Sequence, residues 1–112
     1  MTGISTHVLD TAMGRPARGI RVVLKRVSAD GSWGQVGGGV TDANGRIVTL
    51  LDAQETVQEG AYRLSFYVSD YFEGREHFYS EVTVQFLVRD AAVHYHVPLL
   101  LSPYGYTTYR GS

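Results

Sequence analysis

Apolar and polar residues alternate with a period of two along most of this chain. Tyr62, Leu64, Phe66 and Val68 share one side of the stretch 61–68, with Arg63, Ser65 and Tyr67 on the other. The stretch 80–88 repeats the scheme, setting Val82, Val84, Phe86 and Val88 against Glu81, Thr83 and Gln85. This period marks strands with one buried and one wetter face, the habit of antiparallel sheets. Stretches 20–27 and 93–101 are rich in Val and Leu. Weaker candidates at 4–10, 36–41, 46–51 and 104–109 bring the total to about eight strands.

Turn chemistry separates them. Gly14-Arg15-Pro16, Asp30-Gly31 and Asn44-Gly45 are breaker clusters, because glycine takes backbone angles that other residues resist. Gly37-Gly38-Gly39 is too short for a linker and predicts a bulge or bend within a strand. Between 61–68 and 80–88, Asp70 and Glu73 have the spacing of a capping box, which predicts one or two helical turns over 69–74. The expected architecture is an all-β sandwich of two four-stranded sheets with one short helix, forming a single domain over 1–112.

Composition narrows the function. The chain has 112 residues and no cysteine, which excludes disulfides, thiolate metal sites and a cysteine nucleophile. A net charge of −1 leaves no electrostatic footprint for nucleic acid. No apolar run approaches the ~18 residues that cross a bilayer. The N-terminus lacks a basic stretch followed by an apolar one, so a soluble cytoplasmic protein is expected. Nine of the ten basic residues are arginine, and all eight tyrosines follow residue 60.

Four elements can carry chemistry. His7 lies in S-T-H-V-L-D, where a half-exposed sheet residue is the ordinary reading. His94 and His96, two apart on a strand, project from one face. Such a pair can bind zinc with His7 as a third ligand, or can simply line the wet side of a sheet. Arg46 follows the Asn44-Gly45 turn, and T-T-Y-R-G-S closes the chain with Tyr109, Arg110 and Ser112. There is no nucleophile elbow, P-loop or dinucleotide fingerprint, and no evident pair of carboxylates.

In order, S-T-H-V-L-D-T-A-M-G-R-P-A at 5–17, T-D-A-N-G-R at 41–46 and H-Y-H-V-P-L-L-L-S-P-Y-G-Y-T-T-Y-R-G-S at 94–112 resemble the transthyretin-related 5-hydroxyisourate hydrolases. G-A-Y-R-L-S-F at 60–66 and F-Y-S-E-V-T-V-Q-F at 78–86 extend the resemblance over nearly the whole chain. Its most specific part is the terminal Y-R-G-S, which separates the hydrolases from transthyretin carriers of the same fold.

The resemblance implies a transthyretin-like sandwich assembled as a homotetramer, a dimer of dimers with active sites where dimers meet. It implies hydrolysis of 5-hydroxyisourate to 2-oxo-4-hydroxy-4-carboxy-5-ureidoimidazoline, with no cofactor and no metal. Carried onto this chain, the catalytic positions are His7, Arg46, His96 and Ser112, with Tyr109 and Arg110 shaping the substrate pocket and His94 in support. The general base could be either His7 or His96. Gly105 and Thr107 depart from the serines frequent in related sequences, without removing a catalytic side chain. The alternative is a small-molecule carrier, for which a channel lined by histidine and arginine is poorly suited.

Overall fold

The computed structural model describes residues 3–112. The chain runs β1 (Gly3–Asp10), β2 (Arg15–Pro16), β3 (Arg21–Val27), β4 (Trp33–Val40), β5 (Arg46–Ile47), β6 (Gly60–Tyr67), α1 (Val68–Tyr71), β7 (Val82–Val88), β8 (His94–Ser102) and β9 (Gly105–Thr108). Two sheets face each other. One has the order β2-β1-β8-β9 with β5 also paired to β1, and the other β4-β3-β6-β7. Among the described residues no helix is long and apolar enough to cross a membrane.

Alternation decides what each strand buries. Tyr62, Leu64, Phe66 and Val68 are fully buried, opposite Ile4, Val8, Leu99 and Leu101 from the other sheet, all in one core. Burying each such side chain contributes roughly 1.5–3 kcal/mol. Tyr62 brings a hydroxyl inside, and that group is satisfied by donating to the Gln58 carbonyl at 3.0 Å. The complementary positions Ser5, His7, His94 and His96 therefore point away from the core.

The structure amends the expected sandwich in several places. The first sheet has five strands, because Arg15–Pro16, expected as a turn, pairs with the end of β1. Proline is tolerated at such a sheet edge, where its missing N–H costs no ladder bond. Stretch 46–51 yields only Arg46–Ile47 as strand. Beyond it the Leu50 N–H donates to Ile4 in one sheet while the Leu50 carbonyl accepts from Gly38 in the other. A segment shared between sheets cannot follow either ladder.

The glycine run permits that bridge. A Cβ on Gly37 would stand 1.9 Å from the Leu50 carbonyl oxygen. The expected irregularity is there: pairing shifts between Leu24 opposite Gly37 and Lys25 opposite Gln35, leaving Val36 as the extra residue of a bulge. The helix begins earlier than expected, at Val68. Asp70 sits inside its first turn, and Tyr67 at the N-cap makes no side-chain capping bond. Finally, β1 and β8 run parallel, in register from Gly3 with His94 to Asp10 with Leu101. Alternation points to antiparallel sheets, and this central pair, with the near-continuous buried run 97–101, departs from that expectation.

Asp10 ends β1 fully buried. Its carboxylate accepts from the Tyr71 hydroxyl at 2.7 Å, the Met13 N–H at 2.9 Å and Arg75 at 3.0 Å. Burial pushes its pKa up, but these donors and the Arg75 charge outweigh it and hold Asp10 below the usual carboxylate value. The bundle of bonds clamps α1 and the loop behind it to the end of the strand that carries Ser5 and His7.

Candidate active site

The outward face of the five-stranded sheet gathers the polar residues. Parallel register sets Ser5 beside His96 and His7 beside Pro98, while antiparallel pairing sets His7 beside Arg46. Each of these side chains occupies a non-core position of its strand, so all share one face.

The turn before Arg46 is built to hold it there. The Asp42 carboxylate accepts the Asn44 N–H at 2.8 Å and the Arg46 N–H at 3.0 Å. Those bonds keep Asp42 ionised below the usual carboxylate pKa, with the Arg46 N–H the foremost cause. Gly45 takes φ +75°, and a Cβ there would stand 2.3 Å from the Val8 carbonyl oxygen. The Gly45 carbonyl in turn accepts the Val8 N–H at 2.7 Å, binding the turn to β1. His7 Nε2 lies 2.8 Å from the Asn44 carbonyl. A carbonyl only accepts, so Nε2 carries the hydrogen.

A cleft of about 350 Å³ opens beside these residues, lined by Ser5, Thr6, Arg46, Ile47, Val48, His94, His96 and Ser112. The half-buried His96 has its pKa depressed first by burial, then by the positive Arg46 and by His7 and His94. It therefore stays neutral at neutral pH and can accept a proton. Arg46 is exposed and can present its planar donor fork to an oxygen-rich ligand.

The segment that follows β9 borders the cleft. Beyond β9 the chain continues alongside β8 in the same antiparallel register, and the Gly111 N–H donates to the His96 carbonyl at 2.9 Å. The approach is so close that a Cβ on Gly111 would stand 2.6 Å from His96 Cδ2 and 3.1 Å from Pro98 Cγ. Ser112 follows directly and lines the cleft.

Thus His96, Arg46 and Ser112 come together, with His7 alongside Arg46. Tyr109 and Arg110 do not join them. They line a neighbouring cleft of about 340 Å³ between β7 and the terminal segment, which His96 also borders, and the Arg110 guanidinium lies 4.8 Å from the Tyr95 ring centroid. The H-x-H pair is engaged too: the Ser5 hydroxyl lies 2.8 Å from His94 Nε2 and 2.7 Å from His96 Nδ1. Among the described residues no group of three or more His, Cys, Asp or Glu is placed to hold a metal ion. Ser5, Gly45 and Gly111 are contributors that the spacing of chemical groups did not single out. Ser5 had a faint signal, since it shares the strand face of His7.

The model of the HIUase/Transthyretin family matches residues 4–111. The chain is 45% identical over 115 residues to the 5-hydroxyisourate hydrolase of Deinococcus radiodurans, covering 98% of this chain and 96% of that protein. The solved 5-hydroxyisourate hydrolase of Klebsiella pneumoniae aligns with a TM-score of 0.84 at 35% identity, over 100% of this chain and 94% of that one. Sea bream transthyretin, solved in complex with thyroxine, aligns with a TM-score of 0.88 at 34% identity, over 96% and 93%. With that family model spanning nearly the whole chain and a relative 45% identical over almost the full length of both proteins, the chain belongs to the HIUase/Transthyretin family.

Proposed function

We propose that this protein hydrolyses 5-hydroxyisourate to 2-oxo-4-hydroxy-4-carboxy-5-ureidoimidazoline. The observation that carries the reading is one cleft combining a histidine kept neutral, an exposed guanidinium and Ser112. The relatedness to hydrolases acting on that substrate supplies its identity.

His96 acts as general base. Its depressed pKa keeps the imidazole available, and a positioned base of this kind is worth roughly 10²–10⁴-fold. It takes a proton from water as the water oxygen bonds to an amide-like ring carbonyl. Arg46 stabilises the oxyanion that forms, its charge being retained throughout. The ring C–N bond then breaks and the proton held by His96 passes to the leaving nitrogen. His7, fixed by the Asn44 carbonyl, adds a second polar ring beside Arg46 and orients the substrate. Ser112 contacts substrate or water at the border of the cleft. Arg110 serves indirectly, by anchoring the terminal segment on the Tyr95 ring, with Tyr109 lining the neighbouring cleft. No cofactor enters the reaction.

The reading includes a homotetramer, a dimer of dimers, working in the cytoplasm. The cleft lies on an open sheet face beside the exposed Val48, so another copy is needed to enclose a substrate. At the far edge Leu87, Tyr106 and Tyr109 are exposed apolar or aromatic surface on or next to edge strands β7 and β9, which suits a second contact.

Absorbance decay of 5-hydroxyisourate, generated freshly by urate oxidase, tests the activity. Acceleration by the native chain, lost in folded His96→Ala and Arg46→Ala variants, is expected. Near-native rates in His96→Ala would overturn the histidine mechanism.

A further inference from the structure

The Ser5 hydroxyl is shared between two imidazoles, and a hydroxyl has one hydrogen to give. It lies within hydrogen-bonding reach of His94 Nε2 and of His96 Nδ1. With both rings neutral, it must donate to one nitrogen and accept from the other. Two arrangements satisfy that rule. In the first, His96 Nδ1–H donates to Ser5, Ser5 donates to His94 Nε2, and His96 Nε2 is left with a lone pair. In the second every hydrogen is reversed, and His96 Nε2 carries a hydrogen that makes it useless as a base.

The surroundings choose between them. Arg46 lines the same cleft as His96, and a nearby cation favours a lone pair over an N–H facing it. At the other end the exposed His94 can donate Nδ1–H to solvent, completing the first arrangement without an unmet group. Both rings are held in place. The His94 ring lies over Gly3, where a Cβ would stand 3.2 Å from Nδ1, and the His96 ring lies against Gly111. Ser5 itself is 8% exposed, so water has little room to replace its hydroxyl.

We infer that Ser5 is a positioning residue, which holds His96 in its Nδ1–H tautomer with His94 as the far acceptor, leaving His96 Nε2 free to take a proton. This deepens the proposed hydrolysis and rests on it for its kinetic consequences. The tautomer itself does not depend on the substrate.

Nitrogen NMR of the ¹⁵N-histidine-labelled protein, at a pH above the histidine range, distinguishes protonated from unprotonated ring nitrogens. His96 Nε2 is expected unprotonated in the native chain, and partly protonated in Ser5→Ala. In the turnover assay, Ser5→Ala should lower kcat about 10- to 100-fold, within the range of general-base catalysis, with KM changed less than about threefold. His94→Ala should lower kcat in the same direction. The double variant should be no slower than Ser5→Ala, because the two residues act through one bond chain. A protonated His96 Nε2 in the native chain would overturn the inference, as would an unchanged tautomer in Ser5→Ala or strictly additive kinetic losses. Should the native chain fail to turn over 5-hydroxyisourate, the proposed function falls, while the nitrogen spectra still decide the tautomer.

Discussion

Gly111→Ala is a one-methyl change whose effect can be worked out from the geometry. The added Cβ would stand 2.6 Å from His96 Cδ2 and 3.1 Å from Pro98 Cγ, well inside contact distance. Pro98 belongs to the central strand β8 and cannot retreat, so either the His96 ring or the terminal segment must move. Forcing a methyl into such a space costs about 1–3 kcal/mol. Against it stands the bond from the Gly111 N–H to the His96 carbonyl, worth about 1 kcal/mol net. The stacking of Arg110 on Tyr95 adds about 0.5–1 kcal/mol at an exposed site. The clash and the anchor are of the same size, so the terminus is displaced for much of the time.

Activity and stability then separate. Residues 109–112 contribute nothing to the buried core, so the loss of stability is capped by the anchor and the melting temperature should fall by no more than about 8 °C. The competent arrangement of His96 and Ser112 becomes rarer by the net of clash and anchor. At a tenfold change per 1.4 kcal/mol, that balance lowers kcat/KM about 2- to 10-fold. The assay is decay of freshly made 5-hydroxyisourate, alongside a thermal melt of the same sample. Full activity in Gly111→Ala would refute the placement of the terminus against His96. So would a loss of activity matched by a large loss of thermal stability.

Two further outcomes follow from charge. Because burial first, and then Arg46, His7 and His94, depress the His96 pKa, the acid limb of the pH–rate profile should lie below the ordinary histidine value of 6.5. Residual activity in Arg46→Gln should show that limb moved upward, and an unmoved limb would remove Arg46 from the environment of the base. Asp10 has a lowered folded-state pKa, so its contribution to stability is present above its unfolded value, near 3.8, and is lost as pH falls through the folded value. Asp10→Asn should cost about 2–3 kcal/mol at pH 7, less than a fully buried pair because Arg75 is one-third exposed. Urea unfolding of both proteins should show the gap closing as pH drops below the carboxylate range.

Much of the sandwich was legible because burial imposes the period of two directly. The side 62, 64, 66 and 68 is fully buried, as its alternation requires. The outward placement of His7, His94 and His96 follows from the same rule, and the turn at Asp42–Arg46 announces itself through Asp, Asn and Gly at the right offsets. What escaped was where a strand must leave its ladder. Leu50 looks like a strand residue and is buried like one, yet its N–H and carbonyl serve different sheets. Hydrophobicity reports burial and is silent about which neighbour takes a hydrogen bond.

The site shows the same limit more sharply. A period of two tells which face a residue occupies, but registers that differ by two residues satisfy it equally. Sliding β1 by two along β8 would keep Ser5, His94 and His96 on the outer face while setting Ser5 opposite His94 or Pro98 in place of His96. Only the actual register puts one hydroxyl between the two rings. From spacing, the H-x-H pair could bind zinc or line the wet side of a sheet, and its contact with a hydroxyl was not visible. That contact turns on Ser5, a residue about ninety positions away, whose place is set by a parallel pairing between the first and a late strand. The same holds for Gly111, whose missing side chain matters only because the terminus returns along β8. Residues that bear chemistry can be found by type. Residues that orient them are found by register, and register is a property of the folded sheet.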